Sequence, residues 1–139
     1  MTTNKLKNKT AVVYIGGTID QEEYVKNQEL VIKKFVKENN IKIQHTFFES
    51  VFGITDLQVK KGFTEVIELC KKNKTDLLLV KDILSLFRNP RALKSFAGEL
   101  SKLKIAIISA QTGLEIEIVF NATAYACKEY GSNHIVDPS

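Results

Sequence analysis

Short apolar, β-branched runs alternate along this chain with segments whose apolar residues recur every three or four positions. The first run, Thr10 to Ile15, predicts a strand. Val25, Val31, Ile32, Phe35 and Val36 then fall on one helical face between about Gln21 and Asn39, a face that also holds the polar Gln28. Asn39-Asn40 is a helix stop. Ile41 to Phe48 alternates as a strand, and Glu49 to Gln58 reads as a loop. A second helix is predicted from about Val59 to Lys72, with Phe63, Val66, Ile67 and Cys70 on one face and Asn73 as its stop. Asp76 to Val80 is nearly all leucine and valine, as expected of a strand covered on both faces at the sheet centre. Asn89-Pro90 opens a third helix that runs to about Leu103 and buries Leu93, Phe96, Ala97 and Leu100. Ile105 to Ser109 is a fourth strand, and Gln111-Thr112-Gly113 a turn. A last helix is expected from about Leu114 to Tyr130, stopped by Gly131.

This order predicts an α/β fold: a mostly parallel sheet of about four or five strands with helices on both faces. Residues 1–9 are expected to be a disordered arm, 10–131 the domain, and 132–139 a polar tail. Within the last helix, Ile116, Val119, Phe120, Thr123 and Cys127 share one side, widened by Ile118, Ala122 and Ala126. An arc that wide is covered either by the helix's own sheet or by a partner, and oligomerisation through it is expected.

Composition narrows the classes. At 139 residues, 44% of them hydrophobic, the chain can bury one real core. No apolar run is long enough to span a bilayer, and the lysine-rich start has no apolar segment behind it, so a cytoplasmic protein is expected. The net charge of +4 permits a phosphate or nucleic-acid partner. The basic side is almost all lysine, the only arginines being Arg88 and Arg91. Cys70 and Cys127 lack metal-ligand spacing and are expected to be reduced and buried. No metal or cofactor pattern is present.

Candidate chemistry gathers at the carboxyl ends of the strands, where α/β sheets place their ligands. The first strand ends in Gly16-Gly17-Thr18-Ile19-Asp20, and Thr18 or Asp20 serves there as a helix cap or as part of a site. The second and third strands lead to Glu49 with Lys60 and to Lys81 with Arg88. A hydroxyl beside cations can attack or bind a phosphate. Neither histidine is near that hydroxyl in sequence. Glu49 and Asp20 are the candidate bases, or else surface acids and caps. Lys81-Asp82 reads as a surface or cap pair, or as part of the site.

The order of these motifs resembles the catalytic domain of serine recombinases, the resolvase/invertase family, over about residues 10 to 128. The family's opening tyrosine, arginine and nucleophilic serine are similar to Tyr14-Ile15-Gly16-Gly17-Thr18. Its downstream glutamine looks like Gln28, and its acid after the second strand looks like Glu49, followed by Gly53. Its Arg-Pro-Gly run looks like Lys60-Lys61-Gly62-Phe63. Its signature Val-Lys-Asp-Leu-Ser-Arg-Phe-Gly-Arg-Asn looks like Val80 to Asn89. The resemblance implies that the serine attacks a DNA phosphodiester, leaving a phosphoserine link to the 5′ end, while arginines stabilise the charge on phosphorus. Against that pattern, Thr18 replaces the serine, Gly16 and Ser85 replace two arginines, Lys60 replaces a third, and Arg88 is kept. Loss of one preorganised donor costs on the order of hundredfold in rate. The expectation is therefore a catalytically impaired recombinase-like domain, with Thr18, Arg88, Lys60, Glu49 and Gln28 at its site.

Members usually continue into a long dimer-forming helix and a separate DNA-binding domain. A domain of this kind alone is expected to bind DNA weakly, mostly through phosphates. Two other readings stand beside this one: a non-catalytic module that pairs with another recombinase subunit, and a small phosphate- or nucleotide-binding module built on Gly16-Gly17. The run Ile15-Gly16-Gly17-Thr18-Ile19 is also similar to the start of bacterial-type asparaginases, but their second motif, His-Gly-Thr-Asp, has no counterpart here.

Overall fold

The structure, a computed structural model, describes residues 6–17, 22–50, 56–82, 90–120, 125–129 and 132–136; at 17, 49–50, 56–60, 90–92 and from 118 onward it describes the backbone alone. The elements are β1 (Thr10–Gly17), α1 (Glu22–Asn39), β2 (Lys42–Ser50), α2 (Asp56–Asn73), β3 (Leu77–Val80), α3 (Pro90–Lys102), β4 (Ala106–Ser109), β5 (Glu115–Phe120), β6 (Tyr125–Glu129) and β7 (Ser132–Val136). All the described strands join one sheet in the order β2-β1-β3-β4-β5-β6-β7. The first four strands pair in parallel, and β5, β6 and β7 add to one side antiparallel.

The α/β class and the parallel centre agree with the sequence pattern, but the sheet has seven strands rather than four or five. The difference lies in the C-terminal part. The expected helix from Leu114 to Tyr130 is replaced by β5 and β6, Cys127 lies in β6, and the expected tail carries β7. The reason is periodicity. Around Ile116, which is buried, Glu115 and Glu117 are exposed, a period of two. Several apolar residues in a row also satisfy a wide helical arc, so the apolar pattern alone fits either period. The turn before β5 settles the direction of pairing. Gly113 adopts φ +74°, and its N–H donates to Ser109 O at 2.7 Å. So tight a reversal feeds an antiparallel neighbour, whereas a parallel one needs a crossover.

Each central strand is buried on both sides. Val12, Tyr14, Leu78, Val80 and Ile107 face one core with Phe63, Val66, Ile67 and Cys70 of α2 and Leu93, Phe96 and Leu100 of α3. There Phe63 and Phe96 stack with ring centroids 4.2 Å apart. Ala11, Val13, Ile15, Leu77, Leu79 and Ile108 face the other core with Ile32 and Phe35 of α1. Leu6 packs against that second core and Lys9 N–H donates to Leu6 O at 3.2 Å, so this part of the expected arm is a turn.

The three helices end in one way. Asn40, Lys74 and Lys104 take left-handed backbone conformations, and the next residues, Ile41, Thr75 and Ile105, donate N–H bonds of 3.0–3.1 Å back to Val36, Cys70 and Leu100. This is the Schellman pattern, which satisfies helix-end carbonyls without requiring glycine. Each ending turns the chain into the next strand at the amino edge of the sheet, so the carboxyl ends of β1 to β4 lie together at the opposite edge. At the amino edge the Asp76 carboxylate accepts from Thr10 N and Oγ1 at 2.9 and 3.0 Å. These bonds, the backbone one first, hold Asp76 below the ordinary carboxylate range. Cys70 is a free thiol in the α2-side core. Burial pushes its pKa up to about 11, against a smaller downward pull from the Thr75 hydroxyl.

Candidate active site

The carboxyl edge is organised by Gln28. Its side chain is fully buried, and its Nε2 donates to Gly16 O at 2.6 Å. A polar residue in the middle of a helix's buried face is costly unless it is bonded; here the bond ties α1 to the end of β1. The expected site residue is thus one that shapes backbone. Gly16 also stands beside Glu49 in the β1–β2 register, so the ends of β1 and β2 are adjacent at the expected acid.

Tyr24, one turn before Gln28 on α1, faces the same edge. Its ring lies 6.0 Å from the Lys81 Nζ that follows β3. Lys81 pairs with Asp82 at 3.7 Å. Ser109, fully buried at the end of β4, donates from Oγ to Lys81 O at 3.1 Å. The edge therefore gathers Gly16, Glu49, Gln28, Tyr24, Lys81 and Ser109 from β1, β2, α1, the end of β3 and β4. Sequence reasoning assigned no role to Tyr24 or Ser109. The available signal was that Tyr24 lies four residues before Gln28, and that Ser109 is a polar residue closing an apolar strand.

Thr18 and Arg88 lie outside the described residues, and Lys60 is in α2 with its side chain outside them. Glu49 likewise contributes its backbone position in β2. His45 is exposed on β2, away from this edge. Among the described residues no group of three histidine, cysteine or acidic side chains could hold a metal, and no helix is long and apolar enough to cross a membrane.

A sheet with a parallel centre and helices on both faces, in which the Gly16-Gly17 end of β1 lies beside Glu49 of β2 and Lys81 follows β3, defines an α/β domain whose candidate site lies at its carboxyl edge. The resolvase N-terminal domain family matches residues 16–134, and the chain belongs to that family. The fold agrees. The C-terminal catalytic domain of ISC1926 TnpA, an IS607-like serine recombinase, superposes with a TM-score of 0.57 at 18% identity, over 73% of this chain and 70% of that one. A resolvase family site-specific recombinase from Streptococcus pneumoniae gives 0.61 at 16% identity, over 78% and 76%. The N-terminal catalytic domain of TP901-1 integrase gives 0.60 at 19% identity, over 77% and 81%. Comparison of the sequence with curated proteins gave no match.

Proposed function

We propose that this serine-recombinase-type catalytic domain engages DNA phosphodiesters at its carboxyl edge but is impaired in strand transfer. The observation that carries the reading is the family match over residues 16–134 on a chain whose nucleophile position holds Thr18. Were the chemistry to run, Thr18 Oγ would lose its proton to a carboxylate, Glu49 or Asp20, and attack phosphorus. The 3′ oxygen would leave and be protonated by solvent to a hydroxyl, and a phosphothreonine link to the 5′ end would remain. Lys60 and Arg88 are the cations on the phosphate side in this reading. A secondary hydroxyl is bulkier than that of serine, and Gly16 and Ser85 bring no charge, so the charge that develops on phosphorus is poorly stabilised.

Incubation with a short DNA duplex, followed by denaturing electrophoresis, tests both parts. DNA binding that weakens steeply with salt is expected, with little covalent link. A link that forms readily and disappears in Thr18→Ala would overturn the impairment; absence of DNA binding even at low salt would overturn the DNA reading.

A further inference from the structure

β3 is leucine and valine throughout and fully buried, and Lys81 is the first charged residue beyond it. The backbone there is still held as sheet. Ala110 N–H donates to Val80 O at 2.8 Å, and Gln111 N–H donates to Lys81 O at 3.0 Å. Ser109 Oγ donates to the same Lys81 carbonyl at 3.1 Å. Leu77 and Leu79 face the α1-side core while Leu78 and Val80 face the other. The alternation therefore sends Lys81 toward α1, where its Nζ meets the Tyr24 ring at 6.0 Å. The β1–β3 register sets Val13 beside Leu79. Continued by two residues, it sets Lys81 beside Ile15, one residue before the Gly16 whose carbonyl Gln28 holds.

This lysine is unlike the chain's surface lysines. Its side chain is 19% exposed, whereas Lys26 and Lys102, in helix surface pairs, are 67% and 77% exposed. Its backbone is pinned by two hydrogen bonds and its ammonium is flanked by a ring and a carboxylate, so little side-chain freedom remains to be lost on binding. The Asp82 contact of 3.7 Å is longer than the 2.7–2.9 Å of a charge-assisted hydrogen bond. Three N–H donors on an ammonium are not saturated by such a contact.

We propose that Lys81 is a phosphate-binding residue of the carboxyl-edge site, donating to a nonbridging oxygen of a DNA phosphodiester, with Tyr24 and Asp82 as its positioning residues. The proposal rests on the DNA-phosphate reading above. Asp82 keeps the ammonium in place when the site is empty, and the phosphate then competes with it.

The experiment is the salt dependence of binding to a short DNA duplex by the wild-type chain, Lys81→Gln, Lys81→Arg, Asp82→Asn and a surface control, Lys34→Gln. Circular dichroism confirms that each variant is folded. One phosphate contact contributes about 0.9 to the slope of log K against log salt. Lys81→Gln is expected to lower the slope by about that amount and weaken binding on every sequence tried. Lys81→Arg should restore it, and Asp82→Asn should tighten binding. A Lys81→Gln slope equal to wild type, with wild type still binding, overturns the assignment and leaves the DNA reading standing. If wild type binds no duplex, the DNA reading fails. Inorganic phosphate, followed by the NMR signals of Lys81 and Gly16, then decides the remaining point: saturable shifts lost in Lys81→Gln retain the phosphate site, and their absence overturns it.

Discussion

Replacing Gln28 by leucine tests how the end of β1 is held. The side chains are similar in size, so packing is nearly conserved while the amide is lost. The bond removed is 2.6 Å long, shorter than the common 2.9–3.0 Å for N–H···O, and both ends are buried. An orphaned buried carbonyl costs about 1–3 kcal/mol. Part of that is offset because leucine, unlike glutamine, has no amide to desolvate, so a net loss of about 1–2 kcal/mol is expected. Interpolated between smaller and larger domains, a chain of this size loses roughly 4 °C in midpoint per kcal/mol, so the midpoint should fall by about 4–8 °C. Urea unfolding should show a lower midpoint with unchanged slope, because the surface exposed on unfolding is the same. Gln28→Ala should cost about 1–2 kcal/mol more, since a void is left as well. A Gln28→Leu protein as stable as wild type would refute the argument, for it would mean that the Gly16 carbonyl finds an equivalent partner without the amide.

Two further outcomes concern pH. Asp76→Asn should lower stability above pH 4 by less than about 1 kcal/mol, because the carboxylate is exposed and screened. Its folded pKa is below the ordinary 3.8, so the difference from wild type should vanish as pH falls through the folded value; a difference that persists in acid would contradict the assignment. Cys70 behaves in the opposite sense: its thiol ionises near 9.0 unfolded but near 11 folded. Between those values the unfolded chain holds fewer protons, so wild-type stability should fall relative to Cys70→Ala by roughly 2–3 kcal/mol, measured by urea unfolding at stepped pH. Parallel profiles would show that the thiol is not held neutral by burial.

What could be read from sequence followed local chemistry. Strand-helix alternation as far as Ser109 placed β1 to β4 and α1 to α3 within a few residues of their observed bounds. Asn40 stops α1 as expected, while α2 takes in Asn73, its expected stop, as its last residue and the left-handed residue that follows is Lys74. β1 continues through Gly16 and Gly17 because it pairs there with Glu49 and Ser50 of a β2 that also runs longer than its apolar pattern. Gln28 was chosen by resemblance alone. Its position as the polar exception on an apolar face was visible, but its partner was not, since Gly16 is twelve residues away and the bond exists only when α1 lies on β1.

The sequence by itself determined the α/β order, the doubly buried centre and the membership of the resolvase family, because periodicity, β-branching and motif order are properties of neighbours along the chain. Tertiary structure decided that residues 115–120 are a strand: the run carries a period of two around Ile116 as well as an apolar arc wide enough for a helix, and pairing with β4 through Ile107–Ile116 selects the first. It also decided which polar residues meet at the carboxyl edge. Gln28, Tyr24, Lys81 and Ser109 lie on separate elements, and their contacts depend on crossovers that bring distant strand ends together.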